Sequence, residues 1–314
     1  MRRFLLLVGL VAACTQAAPA VAPSPTIAAL RVLVADDPSG TLARRAQLLA
    51  APGTRVEVAP RPGDAGGVAL AELVRAHRAD ASALVVVSGT LLAREVRGQA
   101  AVRLGEAVPV ARLGSDALVI AVAKSSPIAN VSTFRERLEA DSSTVRFAGA
   151  GVGTSPHQLA ARIVREVARG VAGLVYASYA TVEEAAAAVA GDQAQALLGT
   201  YAAVRPVLDA GRLRAIAVSS ATRVPGFDAP TLRESKLDVV ATDWALLIAP
   251  PGIGVGELDT LRRHARQAHA DPAWADAVRR NGWIDDFTTE GMTTFIGTEL
   301  ARTEATLRDL ELIR

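Results

Sequence analysis

The sequence predicts an α/β protein of two lobes, each a mainly parallel sheet flanked by helices, with two strands crossing between the lobes. Three observations predict this fold class. Short β-rich runs alternate with helical stretches, a rhythm typical of parallel strands joined by crossover helices. Two longer apolar runs, 116–127 and 243–252, interrupt that rhythm. The chain has 314 residues, and 50% of them are hydrophobic, which is enough for two domains with buried cores.

The charge of the chain does not indicate a nucleic-acid partner. The formal net charge is +2, and Arg2 and Arg3 supply two of the positive charges, so removal of the N-terminus would leave a neutral chain. The remaining basic residues are almost all arginines scattered among acidic residues, which is typical of a solvated surface.

The N-terminus has the features of an export signal. Arg2 and Arg3 form a short positive region, and residues 4–11 form an apolar stretch that is too short to span a bilayer. Residues 11–14, Val-Ala-Ala-Cys, match a bacterial lipobox, in which the cysteine becomes lipidated. We therefore expect a lipoprotein signal peptide over residues 1–14 and a lipid anchor at Cys14.

A plain signal peptide, cut near Ala18 or Ala20, is the alternative, and it would discard Cys14. Because Cys14 is the only cysteine, neither interpretation leaves a disulfide within the folded body, and its stability must come from core burial. Residues 15–29 contain several prolines among small residues, which predicts a semi-flexible tether.

The first lobe opens with three β-rich runs separated by helical patterns. The strands are predicted at 31–35, 54–60 and 83–89, and the helices at 41–50 and 68–78. The first crossing run follows, and the chain then begins a second series. Its helices are predicted at 133–140 (capped by Ser132), 157–168, 181–191 and 203–211, and its strands at 144–150, 173–180, 195–201 and 213–220.

The second crossing run returns the chain to the first lobe. Three C-terminal helical segments follow, starting near Val255, Pro272 and Thr289, and the last is expected to run to the end of the chain. The predicted boundaries are 30–122 plus 246–314 for lobe 1 and 123–245 for lobe 2. A ligand would sit between the lobes, outside the carboxyl ends of the strands.

The turn 149–156, between a predicted strand and a predicted helix, is the main candidate site. Its glycines allow close approach of the backbone to a ligand, and Thr154 or Ser155 can cap the helix. Free N–H groups at the start of a helix, together with the helix dipole, favour an anion. A tight turn with no ligand is the alternative, and the G-x-G-x-G spacing argues against a dinucleotide site.

His157 lies beside that turn, where it can donate to a ligand carboxylate or simply cap the turn, and the sequence leaves both open. The turns 37–41 and 88–90 also follow strands and offer hydroxyl and N–H groups that suit carboxylate oxygens. Tyr179 and Tyr201 end strands and are further candidates for the cleft.

The sequence offers no catalytic constellation. His77, His264 and His269 occur singly on polar helical faces, and the last two are five residues apart, so they face different sides of a helix. No G-x-S-x-G elbow is present. We therefore expect a binding protein without a cofactor or a metal, and not an enzyme.

Five segments, in order along the chain, carry a family resemblance. They are PRPGDAGG (60–67), VVVSGT (85–90), FAGAGVGTSPHQLA (147–160), LRAIAVSSATRVPGFDAPTLRES (213–235) and WALLIAPPGI (244–253). From about residue 31 to its C-terminus the chain resembles the solute receptors of tripartite tricarboxylate transporters, the Bug or TctC-type extracytoplasmic binding proteins.

The resemblance implies a type II periplasmic-binding-protein fold, a Venus flytrap that holds a ligand carboxylate with backbone amides and hydroxyls of two facing loops, partly through water. It also implies delivery to a two-component membrane permease driven by an ion gradient. The predicted ligand-binding residues, from these loops and the other strand ends, are Ser39, Gly40, Thr41, Ser88, Gly89, Thr90, Gly151, Gly153, Thr154, Ser155, His157, Tyr179, Thr200 and Tyr201.

The chain departs from the family pattern in its first loop. Ala43 stands where the family usually has an aspartate, and Arg44 and Arg45 follow it. Loss of that carboxylate removes a natural partner for an ammonium group, which argues against an amino-acid ligand. Gly199-Thr200 stands where the family often has Asp-Asn, and Tyr179-Ala180-Thr181 where it usually has Tyr-Lys-Gly.

We therefore expect a monomeric, exported periplasmic lipoprotein that captures a small organic carboxylate and works with a membrane permease. Two alternatives remain at the level of sequence. The same ligand-gated closure would serve a sensor that signals to a membrane partner. An exported α/β enzyme is a less favoured alternative.

Overall fold

The computed structural model describes residues 27–35, 39–51 and 53–314. The predicted signal peptide, the lipobox Cys14 and most of the predicted tether lie outside the described residues. Within the described residues, no helix combines the length and the apolar character needed to cross a bilayer.

Ten strands are present in the described part of the chain. They are β1 (Ala29–Ala35), β2 (Arg55–Arg61), β3 (Ala83–Ser88), β4 (Val108–Ala123), β5 (Arg146–Gly149), β6 (Val175–Ser178), β7 (Ala196–Thr200), β8 (Leu213–Val218), β9 (Thr242–Ala249) and β10 (Trp283–Ile284). The α-helices described are α1 (Thr41–Gln47), α2 (Gly67–Ala76), α3 (Thr90–Val96), α4 (Val131–Ala140), α5 (Ser155–Ala168), α6 (Val182–Ala190), α7 (Tyr201–Asp209), α8 (Val255–His269), α9 (Pro272–Asn281) and α10 (Met292–Asp309).

One long strand, β4, belongs to the sheets of both lobes. Its residues Val108–Ala117 pair with β9, and the residues after Ala117 pair with β7 and β8. The strand order is β2-β1-β3-β9-β4-β7-β5-β6, with β8 and β10 also on β4. The prediction of a two-lobed α/β fold with crossing strands is confirmed.

The outer strands of each lobe are parallel, whereas the crossing strands are antiparallel to their neighbours. β1 pairs in parallel with β2 and β3, and β5 pairs in parallel with β6 and β7. β9 runs antiparallel to both β3 and β4. This mixture follows from the connectivity, because parallel neighbours need crossover helices while a strand that returns from the other lobe arrives in the opposite direction.

Alternate residues of the central strands enter different cores. Val32 of β1 belongs to an apolar cluster on one face of the first sheet, and Leu33 belongs to a cluster on the other face. In the second sheet Leu118 and Val119 of β4 divide in the same way. Helices therefore cover both faces of each sheet, which explains why the central strands read as continuous apolar runs.

Several local predictions differ from the structure. α4 is capped by Asn130, whose side chain accepts from the Thr133 N–H at 3.1 Å, so the expected cap at Ser132 is wrong. The last helix begins at Met292, not near Thr289, and ends at Asp309, before the C-terminus. α3 and β10 were not predicted. β4 starts at Val108, eight residues before the expected run, because Pro109 and Gly114 break the apolar pattern of its first half.

Candidate functional site

The glycine-rich turn of lobe 2 lies against lobe 1. Gly153, in the turn between β5 and α5, has φ +88°, and a Cβ added there would lie 3.7 Å from Cβ of Ala93 in α3. It would also lie 3.8 Å from Cδ2 of Leu307 in α10 and 3.9 Å from Nη1 of Arg97. The turn that the sequence singles out is therefore one of the places where the two lobes meet.

Two aromatic side chains hold this turn from within lobe 2. The Gly153 N–H donates to Nδ1 of His157 at 3.0 Å, and the Tyr176 hydroxyl donates to the carbonyl of Ala150 at 2.7 Å. The rings of His157 and Tyr176 lie 4.3 Å apart between centroids. Each ring therefore fixes one backbone group of the turn, and Tyr176 is a supporting residue that the sequence analysis did not identify.

The buried His157 is neutral near pH 7. It is 6% exposed, and burial lowers the pKa of its imidazole to about 4. Because Nδ1 accepts the Gly153 N–H, the proton of the neutral ring is on Nε2. The sequence left two roles open for His157, donation to a ligand carboxylate and support of the turn. In the structure, its Nδ1 supports the turn.

The hydroxyls at the start of α5 point in different directions. Thr154 occupies the N-cap position, but its Oγ1 donates to the carbonyl of Gly151 at 2.7 Å and accepts no bond from the helix. Ser155 instead donates to Oδ1 of Asp243 in β9 at 3.1 Å. The Ser155 bond links α5 of lobe 2 to a crossing strand.

Gly89, after β3, lies close to the same aspartate. A Cβ added to Gly89 would lie 3.3 Å from Oδ1 of Asp243 and 3.2 Å from Cε2 of Trp244. The structure therefore brings together two of the predicted residues, Gly89 of lobe 1 and Ser155 of lobe 2, around the start of β9.

The hydroxyls of Ser39 and Thr41 in the first loop are joined by a hydrogen bond. Ser39 donates to Oγ1 of Thr41 at 2.9 Å, and Thr41 is buried. Nη2 of Arg44 donates to the carbonyl of Ser39 at 2.6 Å and reaches Oγ1 of Thr41 at 3.3 Å. Gly40 has φ +67°, and a Cβ there would lie 3.0 Å from Nη1 of Arg44. Arg44 therefore folds over this loop.

The two predicted tyrosines lie in different surroundings. Tyr201 is buried at the start of α7, where its ring packs on Phe227 and its hydroxyl accepts from Nη1 of Arg205 at 2.6 Å. Thr200 precedes it at the N-cap position. Tyr179 is partly buried in the apolar core of lobe 2, and its N–H donates to the carbonyl of Gly149 at 2.9 Å.

A buried ion pair lies where β4 crosses between the lobes. Nη1 of Arg45 in α1 is 2.8 Å from Oδ2 of Asp116, and the guanidinium stacks on the Trp283 ring at 4.4 Å. Asp116 is paired in register with Asp243. Each carboxylate of this neighbouring pair therefore has its own donor, Arg45 for Asp116 and Ser155 for Asp243.

A cavity of about 170 Å³ opens between α5, α10 and the start of β9. We call it the arginine cavity, because three of its four charged residues are arginines. Its lining residues are Gly89, Arg112, Leu118, Ser155, Gln158, Leu159, Arg162, Val240, Ala241, Thr242, Trp244, Phe295, Glu299, Arg302 and Thr303. Two of the residues predicted from sequence, Gly89 and Ser155, are among them.

Sequence reasoning missed the arginines of this cavity. Arg162 and Arg302 sit in helices with mixed charge, a pattern that also describes a solvated surface. The two arginines line one cavity only because α10 packs on α5, and these helices are more than 100 residues apart in the chain. Among the described residues, no group of three or more His, Cys, Asp or Glu side chains is arranged to hold a metal ion.

Comparison with known proteins places the chain among transport receptors. Residues 45–312 match the family TctC, described as "Tripartite tricarboxylate transporter family receptor". A UPF0065 protein of Bordetella bronchiseptica is 30% identical over 232 residues, which are 71% of this chain and 66% of that protein.

Solved structures with low sequence identity share the fold. MatC of Rhodopseudomonas palustris, with bound malate, superposes with a TM-score of 0.70 at 20% identity and covers 89% of this chain and 99% of its own. A second protein from that organism, with adipate, has a TM-score of 0.71 at 17% identity, over 89% of this chain and 96% of its own. The match over 45–312 is much longer than half of the chain, and the protein therefore belongs to the TctC family of tripartite tricarboxylate transporter receptors.

Proposed function

We propose that this protein is an extracytoplasmic receptor that captures a small organic carboxylate between its two lobes. The observation that carries the proposal is the arginine cavity, which lies between the lobes and has three arginines and one glutamate in its wall. An excess of positive charge in a confined, partly desolvated space favours an anionic guest. Malate and adipate, which accompany two structures of the same fold, are both dicarboxylates.

The captured solute would contact both lobes, which are taken as 30–122 plus 246–314 and 123–245. Strand-end turns of lobe 1 (39–41 and 88–90) and of lobe 2 (151–155) would supply N–H and hydroxyl donors. Lobes joined by crossing strands can close around a ligand by a hinge motion. The turn at Gly153 of lobe 2, which lies against Ala93 and Leu307 of lobe 1, is one contact that such a motion would make or break.

The receptor would deliver its solute to a two-component membrane permease, as the family description implies. In this proposal the protein works as an exported lipoprotein anchored through Cys14, beyond the cytoplasmic membrane. Metabolic labelling with radioactive palmitate tests the anchor. The wild type should be labelled and Cys14→Ala should not, whereas equal labelling of both proteins, or of neither, would rule the anchor out.

Thermal-shift screening of the purified full-length protein tests the ligand class. The panel contains malate, adipate, citrate and benzoate as carboxylates, with neutral sugars and amino acids for comparison. A ligand at one hundred times its dissociation constant should stabilise the fold by about 2.7 kcal/mol. Amino acids should have no effect, because Ala43 replaces the aspartate that would hold an ammonium group. Stabilisation by sugars or amino acids but by no carboxylate would contradict the proposal.

A further inference from the structure

The charges around the arginine cavity do not balance. Arg112 is matched by Asp286, whose Oδ2 is 3.6 Å from its Nη1 and whose carbonyl accepts from its Nε at 2.9 Å. Arg302 forms an ion pair with Glu299. Arg162, by contrast, has no carboxylate within 4.0 Å and no hydrogen-bond acceptor among residues 27–35, 39–51 and 53–314.

Glu299 is already occupied by two donors. One carboxylate oxygen pairs with Arg302, and the other accepts from the indole N–H of Trp244 at 3.2 Å. The cavity wall therefore holds one cation, Arg162, that forms no ion pair within the described residues, although the charge of Glu299 acts on it from beyond 4.0 Å. Burial and the neighbouring charge of Arg302 lower the pKa of Arg162, and Glu299 opposes this by a smaller amount. The guanidinium stays protonated at neutral pH.

A partly desolvated cation without an anion is costly, and a carboxylate presented to it gains a charge-assisted, two-pronged hydrogen bond. The neutral donors needed to complete such a site are close at hand. The hydroxyl of Thr303 and the amide of Gln158 line the same cavity. Ser155 also lines it, but its hydroxyl proton is already donated to Asp243. Gln158 is held in place by its own bond to the carbonyl of Gly153 at 2.9 Å.

We propose that Arg162 is the residue that binds a carboxylate group of the captured solute, in the cavity between α5 and α10. This inference rests on the proposed function and deepens it by assigning the charge recognition to one side chain. It also separates two tasks, because Gln158 and Thr303 offer uncharged hydrogen-bonding groups whereas Arg162 supplies the charge. A solute whose carboxylate is converted to an amide would lose the charge interaction with Arg162.

Arg165 provides a matched control on the same helix. It lies three residues after Arg162, is about half exposed, and its charge is already paired with Oδ2 of Asp309 at 2.7 Å. Arg162→Gln and Arg165→Gln remove the same group from the same element. A difference between them therefore reports the position of the charge and not the loss of a positive charge from the protein as a whole.

Isothermal titration of the full-length wild type, R162Q and R165Q tests the inference. The probe is whichever of malate, adipate, citrate and benzoate stabilises the wild type most. We expect R162Q to bind it at least tenfold more weakly, R165Q to bind it within twofold of the wild type, and R162K to fall between them. Should R162Q fail to fold, the wild type alone is informative, because the corresponding amide should not compete with the carboxylate.

The possible outcomes distinguish this inference from the function on which it rests. If R162Q binds the probe as tightly as the wild type, or if the amide competes equally well, the assignment to Arg162 is wrong and the receptor function stands. If the wild type binds none of the carboxylates, the proposed function itself fails. If phosphate or chloride binds in an Arg162-dependent manner that the carboxylate does not displace, the site holds an inorganic anion and the assignment to the solute is overturned.

Discussion

Arg45 and Asp116 form a salt bridge that is almost entirely withdrawn from water, with 2.8 Å between Nη1 and Oδ2 and side chains 1% and 5% exposed. It joins α1 to the strand that both lobes share. Nε and Nη2 of Arg45 are buried and have no hydrogen-bond partner in the described part of the chain. Such a pair is sensitive to the loss of either member, because the other charge would remain buried.

We predict that Arg45→Met lowers the free energy of unfolding by about 3–5 kcal/mol, the range for breaking a buried ion pair. The matched comparison is Arg31→Met, because the pair of Arg31 with Glu57 is about half exposed and should contribute no more than about 1 kcal/mol. Urea unfolding of the two variants measures the difference. Equal losses of unfolding free energy in the two variants would show that burial does not increase the contribution of the Arg45–Asp116 pair to stability.

The contact between Gly282 and Tyr201 gives a second prediction. Gly282 has φ +63°, and an added Cβ would overlap the ring of Tyr201. Gly291 has φ +66° with no atom within 4 Å of an added Cβ. Alanine should cost about 1–2 kcal/mol at Gly291, from the backbone alone. At Gly282 it should cost a further 1–3 kcal/mol or so, from the steric conflict.

Thermal or urea unfolding of G282A and G291A compares the two positions directly. The backbone strain is common to both variants, so their difference isolates the clash with Tyr201. If the two variants lose the same stability, Tyr201 moves aside at no cost and does not pack tightly against Gly282.

Protonation of His157 should make the fold sensitive to acid. Its pKa is about 4 in the folded protein, below the value of about 6.5 in an unfolded chain. Between these values the unfolded chain binds more protons, so stability falls as the pH drops from about 6.5 towards 4. The expected loss from pH 7 to pH 5 is about 2 kcal/mol.

His157→Gln isolates this contribution, because its amide oxygen can still accept the Gly153 N–H but cannot titrate. Burial also lowers the pKa of His264, which contributes acid sensitivity of the same sign to both proteins. The measurement is therefore the difference between wild type and H157Q in unfolding free energy across pH 5 to 7. Parallel pH profiles would mean that the imidazole of His157 is not held neutral by burial.

Tyr176→Phe should remove about 1 kcal/mol of stability, the usual net value of one hydrogen bond. The lost bond is the one from the hydroxyl to the carbonyl of Ala150. Tyr179→Phe is the control, because no hydrogen bond of the Tyr179 hydroxyl is seen within the described residues. Urea unfolding should place Y179F within about 0.5 kcal/mol of the wild type. A neutral Y176F would argue that water replaces its bond.

Much of the fold could be predicted because its signals are local. Apolar strands such as 83–88, and helices with clear ends such as Pro272–Asn281, appear in short windows of sequence. The two-residue strand β10 could not be predicted in this way, because it exists through pairing with Ser115 and Asp116 of β4. The same holds for the first half of β4, whose partners lie far along the chain.

The candidate site also has one part that the local sequence predicts and one part that depends on distant packing. The turn 149–156 is visible in sequence because glycines between a strand and a helix have few structural meanings. Arg162 is not visible, because an arginine on an amphipathic helix is normally solvated. Arg162 differs from a solvated arginine only in the folded protein, where α10 packs on α5. There its neighbours Arg112 and Arg302 form ion pairs with Asp286 and Glu299.

The position of β9 has a consequence for the order in which the molecule can assemble. In the first sheet β9 separates β3 from β4, although nearly 120 residues of chain lie between the end of β4 and the start of β9. During synthesis β3 and β4 are therefore complete long before β9, the strand that pairs with both of them in the first sheet. The strands of the second lobe, by contrast, lie in one uninterrupted stretch, and that lobe can form as soon as its own segment is complete.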